Sequence, residues 1–177
     1  VEAYLVDDTK KIVTNPKGQD FAGDFVVFDL ETTGFSALVD KVIEIGAVKI
    51  RNGEIVDRFS TFVNPKVPIS FRIENLTGIS DQMVMGSKTI EEILPEFLEF
   101  CEGCVMVAHN AEFDMSFIIN NAERQGLEFS PSYIDTVLLS QFLIPALHNY
   151  KLDTLTKHLN VVLDNHHRAV DDAEATA

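Results

Sequence analysis

The stretch FVVFDLETTGF, residues 25–35, decides how the chain is read. It opens on an apolar run rich in Val and Phe, the pattern of a buried central strand. Asp29 and Glu31 break that pattern two residues apart, so on a strand both side chains emerge on the same face. Two carboxylates on one face of such a strand are costly to bury unless something positive binds them. A Lys or Arg partner, or an exposed strand end, would answer the need in the ordinary way; a bound cation would answer it with a function. Thr32-Thr33-Gly34 then turns the chain, setting hydroxyls and backbone N–H groups beside the acids.

Outward from this strand, VIEIGAVKI (42–50) and IVDRFSTFV (55–63) flank RNGE, and Asn52-Gly53 supplies the positive φ angles of a tight hairpin. Residues 25–63 therefore predict three consecutive antiparallel strands. Further on, SFRIENLTGIS predicts a short helix closed by Gly78. Thr89 to Glu92 has the form of a capping box opening IEEILPEFLEFC. CVMVA (104–108) is a short buried strand that feeds a helix ending at Gly126. PSYIDTVLLSQFLIP gives a brief strand and a helix from near Asp135, and LDTLTKHLN an amphipathic helix with Leu152, Leu155 and Leu159 on one face. The expectation is an α/β domain with a mixed five-stranded sheet, three antiparallel strands followed by parallel ones, flanked by helices. It should occupy residues 21–177, with residues 1–20 an appendage whose AYLV, DDTK and KIVT segments suit a hairpin.

At 177 residues and 46% apolar composition the chain can bury one full core. No apolar run is long enough to span a bilayer and the first twenty residues lack a signal-peptide centre, which reads as a cytoplasmic protein without membrane contact. Cys101 and Cys104 form a CEGC pair without a second Cys or His pair to complete a zinc site, so they read as small buried residues at a helix-to-strand turn. The net charge is −14 and no three basic residues stand together, which alone argues against nucleic-acid binding. Carboxylates clustered around divalent cations would account for part of that charge.

Three further acids matter. Asp114, in AHNAEFD, falls in the first turn of a helix after a buried strand, where α/β ligand sites form, although an acid there also suits the helix dipole. Asp135 reads as a helix N-cap. Glu44 reads as a strand acid with a local partner. In HHRAVDDAEATA (166–177), residues five apart on a helix point about 140° away from each other, so the histidine must lie on the lead-in and the aspartate within the helix. By register, His166 with Asp171 and His167 with Asp172 serve equally well. Four carboxylates and one imidazole suit two hard cations and the deprotonation of a water. Adjacent histidines do not have the spacing of zinc ligands.

DLETTGF, AHNAEFD and HHRAVDDAEAT, in that order, resemble the three motifs of the DEDDh family of 3′-to-5′ exonucleases, which have the ribonuclease H-like fold. LTGIS, AHNAEFDMSF and IDTVLLSQFLIP look closer still to one branch, the proofreading domain of PolC-type bacterial DNA polymerase III α subunits. The resemblance implies that Asp29, Glu31, Asp114 and Asp172 bind two Mg²⁺ or Mn²⁺ ions about 4 Å apart. It selects His167 with Asp172 and implies that His167 takes the proton of the attacking water, leaving His166 and Asp171 structural or solvent-facing. It also implies that Thr32, Thr33, Gly34, His109 and Asn110 contact substrate, with Phe35 and Phe113 stacking on the last bases; core packing accounts for Phe113 equally well. The implied partners are a single-stranded or frayed DNA 3′ end and the remainder of a larger polymerase, from which the chain reads as a piece. Two other readings stay open: an RNA-directed member of the same family, and a nuclease-fold binding module without catalysis.

Overall fold

Asn52 and Gly53, at φ 52° and 79°, form the two-residue hairpin that the Asn-Gly pair predicts. They join β3 (Val42–Arg51) to β4 (Glu54–Phe62), and β3 pairs antiparallel with β2 (Phe25–Thr32) along its length. The computed structural model describes residues 11–177. β5 (Val105–Ala108) and β6 (Tyr133–Asp135) continue the sheet parallel to β2. The sheet has six strands rather than five, because β1 (Val13–Thr14) pairs antiparallel with β6, giving the order β1-β6-β5-β2-β3-β4. A two-residue strand is too short to show periodicity in sequence. The rest of the hairpin expected over residues 3–14 falls largely outside the described residues.

Between β4 and β5 lie α1 (Phe71–Thr77), α2 (Asp81–Val84) and α3 (Ile90–Cys101), of which α2 was not legible in the sequence. Glu92 closes the capping box of α3, accepting hydrogen bonds from the Thr89 N–H and hydroxyl. α4 (Ala111–Arg124), α5 (Thr136–Leu143), α6 (Leu152–His158) and α7 (Ala169–Thr176) complete the chain. Leu155 of α6 is buried, but Leu159 lies just past the helix end and is 55% exposed, off the apolar face expected for it.

The two faces of the sheet differ. Val26, Phe28 and Leu30 of β2 point into the main core, where α3 and α4 contribute Phe97, Met115 and Phe117. Phe25 and Val27 point the other way, into a smaller apolar cluster with Val48 and Val107. Asp29 and Glu31 continue this second face toward the strand's carboxyl end, and α7 packs across it against β2 and β3. That crossing is close at Gly46, the register partner of Asp29, where a Cβ would stand 2.0 Å from the Val170 nitrogen. Glycine inside a strand marks such an approach. The signal was present in VIEIG, although its partner could not be read.

Candidate active site

β2 runs past the last residue it pairs with β5, Val27, and a bulge between Glu31 and Thr32 ends its regular pairing with β3. The end of the strand is thus left open to side chains from other elements, as bulges near functional sites commonly arrange. From the sheet face come Asp29 and Glu31; from the first turn of α4 comes buried Asp114. From inside α7 comes buried Asp172. Carboxylate oxygens of Asp29, Glu31 and Asp172 lie within 4.8 Å of one another.

This arrangement is electrostatically unfavourable as it stands. Burial, followed by the charges of Glu31 and Asp172, raises the Asp29 pKa well above the usual carboxylate range. Burial and then Asp172 push Glu31 up to about 8. Asp114 is raised by burial and by Asp29. Asp29 Oδ2 is the single buried side-chain polar atom among the described residues without a hydrogen-bond partner. An orphaned oxygen amid converging carboxylates fits a hard divalent cation in an all-oxygen site.

A pH dependence follows. A carboxyl raised from 4.5 to about 8 stabilises the fold fully below its unfolded value and loses that contribution as pH climbs through its folded one. In chelator, Tm should therefore fall between pH 5 and 8. Magnesium competes with these protons, so the Tm gain on adding it should be larger at pH 8 than at pH 5; an equal gain at both would contradict a carboxylate site.

The lead-in to α7 is held in an unusual conformation. His167 has φ 73°, a left-handed backbone that costs a non-glycine residue on the order of 1–3 kcal/mol unless its surroundings impose it. Its N–H donates to Asp172 Oδ2 at 3.2 Å, and its ring stacks on that of His166 with centroids 3.9 Å apart. Burial, and then His166, lower the His167 pKa, which favours the neutral imidazole a proton acceptor needs. His166 is not idle: its Nδ1 lies 2.8 Å from Asp172 Oδ1. With Asp172 the two histidines form a second possible ligand group. Asp171 lies outside both clusters.

Arg168 follows, and its Nε contacts both oxygens of Glu44, at 3.3 and 3.2 Å, while its guanidinium lies over Phe62. The partner of Glu44 thus comes from 124 positions along the chain. Glu44 is 1% exposed, so Arg168→Ala would strand a buried carboxylate at a cost of about 3 kcal/mol, the low end for such pairs because Arg168 is itself partly exposed. Urea unfolding should show that loss, and adding Glu44→Gln to the variant should recover most of it.

The remaining expected contacts divide. The Thr32 hydroxyl donates to the Gly34 carbonyl at 2.6 Å, and the Thr33 hydroxyl accepts from the Lys41 N–H at 2.9 Å. Gly34 sits over the Asp40 carboxylate with no room for a side chain. These groups build a hook after Glu31, with both hydroxyls bonded inside it. Both ring nitrogens of His109 have partners: Nε2 donates to the Tyr150 carbonyl at 2.7 Å, leaving Nδ1 to accept from the Thr136 hydroxyl at 2.8 Å, which ties the end of β5 to later segments. Asn110 is exposed at φ 66°, opening α4. Phe35 is 75% exposed and meets Phe113 edge-on at 6.4 Å, while Phe113 packs inward on Phe117 at 5.2 Å. Asp135 caps α5 through the Val137 and Leu138 N–H groups and also accepts from the Ala111 N–H, fixing the start of α4.

The family model described as Exonuclease matches residues 26–177. Over the whole chain the protein is 55% identical to DNA polymerase III PolC-type of Caldanaerobacter subterraneus subsp. tengcongensis and 53% identical to that of Clostridium perfringens. The chain spans only 13% and 12% of those relatives' lengths. Among solved structures, exonuclease X in complex with 5′ overhanging duplex DNA is 28% identical with a TM-score of 0.67, each chain covered to 86%. The nuclease domain of 3′hExo, a DEDDh family member bound to rAMP, is 18% identical with a TM-score of 0.76 over 89% of each chain, a likeness of fold. The chain belongs to the exonuclease family and carries its ribonuclease H-like fold.

Proposed function

We propose that the chain is a metal-dependent 3′-to-5′ exonuclease that removes nucleoside monophosphates from DNA 3′ ends, proofreading for a replicative polymerase of which it forms a domain. The observation that carries this reading is Asp29 Oδ2, sealed from solvent and unpartnered amid converging acids. Asp29, Glu31 and Asp172 would hold one cation, Asp29 with Asp114 a second. Bound there, Mg²⁺ or Mn²⁺ supplies charge neutralisation for the phosphate and a more acidic water. His167 would take that water's proton on its imidazole, whose neutral form burial favours. Asp172 accepts from the His167 N–H and so holds the base against its backbone strain. Phe35, exposed beside Phe113, offers a face on which a frayed terminal base can stack without reading its identity. The short share of the PolC-type relatives that the chain spans supports a larger polypeptide as the setting.

The test compares 5′-labelled single-stranded DNA and RNA of matched sequence in magnesium. Shortening from the 3′ end with release of deoxynucleoside monophosphates, faster than on RNA, is the expected result. Faster removal of ribonucleotides would replace proofreading with an RNA-directed role. No magnesium-dependent release from either would leave a binding module.

A further inference from the structure

Lys41, Lys66 and Arg124 line one groove of about 320 Å³, with Glu91 the one acid among its lining residues. In a chain with 28 acidic and 14 basic residues, three cations around one groove depart from the general balance. None of the three makes an ion pair among the described residues. Arg124 donates instead to the Leu38 carbonyl at 2.7 Å, which anchors it to the loop after the hook.

The groove lies at the end of the sheet where the acids lie. β3 runs antiparallel to β2, so Lys41, one residue before β3, stands at the carboxyl end of β2. It is bonded to the hook itself: its N–H donates to the Thr33 hydroxyl and its carbonyl accepts from the Thr33 N–H at 2.8 Å. β4 is antiparallel to β3 and so ends at the same edge, where Asn64-Pro65 turns the chain. Asn64 Oδ1 accepts from the Lys66 N–H at 3.0 Å, and its amide donates to the Met85 carbonyl, fixing the turn that carries Lys66. Two connections and the last turn of α4 thus bring positive charge to one place at the end of the sheet that carries the acids.

We propose that this groove binds backbone phosphates of the nucleic-acid strand whose end occupies the acid cluster. The inference rests on the exonuclease reading and deepens it. A polyanion entering a chain of net charge −14 needs a local cationic footing, and Lys41 is the cation whose backbone is bonded directly to the hook that follows Glu31. An acidic peptide would fit the same charges, but nothing would place one in continuity with the hook.

The test uses the full chain carrying Lys41→Gln and Lys66→Gln, with Lys41→Arg and Lys66→Arg as the charge-preserving comparison. Binding of a labelled 20-nucleotide single strand in chelator, read by anisotropy across a salt series, does not require cleavage. The Gln pair should weaken binding about tenfold and lower the salt slope by about 1.4, since each single-strand phosphate contact contributes about 0.7. The Arg pair should bind as the parent does. In magnesium, KM should rise more for the 20-mer than for a dinucleotide, which is too short to reach the groove. An unchanged salt slope, or equal losses on both substrates, would overturn the proposal. So would loss of polyglutamate binding in the Gln pair with DNA binding intact, which would assign the groove to an acidic peptide. A parent chain that binds DNA through these lysines yet releases no nucleotide would count against the exonuclease reading and leave the groove standing.

Discussion

Asp29→Asn is expected to reduce magnesium-dependent nucleotide release by about 10³-fold or more, because each tenfold in rate corresponds to about 1.4 kcal/mol and a catalytic metal contributes several. The side chain keeps its size, so the loss is not one of packing. Asn removes a negative charge from a group that burial, Glu31 and Asp172 already strain toward protonation. The variant should accordingly melt higher than the parent in chelator at pH 8, while losing most of the parent's Tm gain on adding magnesium. Lower activity with higher metal-free stability is the signature of a site held together for its ligand. A variant that kept activity within tenfold of the parent would show that Asp29 is a structural acid.

Gly46→Ala is expected to reach the same site by a different route. The new methyl would lie 2.0 Å from the Val170 nitrogen and 2.2 Å from the Ala169 carbonyl carbon, both backbone atoms at the start of α7. Neither can rotate away as a side chain would, so α7 must lift from the sheet. Overpacking of this kind costs about 1–3 kcal/mol. The larger effect is on rate: α7 carries Asp172, whose carboxylate converges with Asp29 and Glu31 and also accepts from the His167 N–H. A displacement of about 1 Å in a catalytic group can cost on the order of 10²-fold, and steady-state kinetics should show that loss in kcat at saturating metal. A folded variant with unaltered kcat would mean that α7 is free to move without consequence for the chemistry.

Much of the fold was legible because its signals are local. Asn52-Gly53 declares its hairpin, Thr89 and Glu92 their capping box, and the alternation about Asp29 and Glu31 the face on which they emerge. Partners distant in sequence were not legible. Nothing near His109 predicts that Thr136 and Tyr150 will bond its two nitrogens, nor do Thr32 and Thr33 reveal that their hydroxyls bond within the loop. The paired histidines show the same limit. Register permitted either one, and it takes the folded lead-in to show that His166 bonds Asp172 through its side chain while His167 does so through its backbone. Gly46 sits between these cases: its presence in a strand hinted at close approach, but α7 as the approaching element lies more than 120 residues away in sequence.

The central claim is that the acids of β2, α4 and α7 form one cation site. The most direct measurement is anomalous diffraction from a crystal of the chain soaked in Mn²⁺ with a nucleoside monophosphate. The account predicts a strong peak in contact with Asp29, Glu31 and Asp172 and a second reached by Asp29 and Asp114. A peak held by His166 and His167 with Asp172, and none touching Asp29, would contradict it.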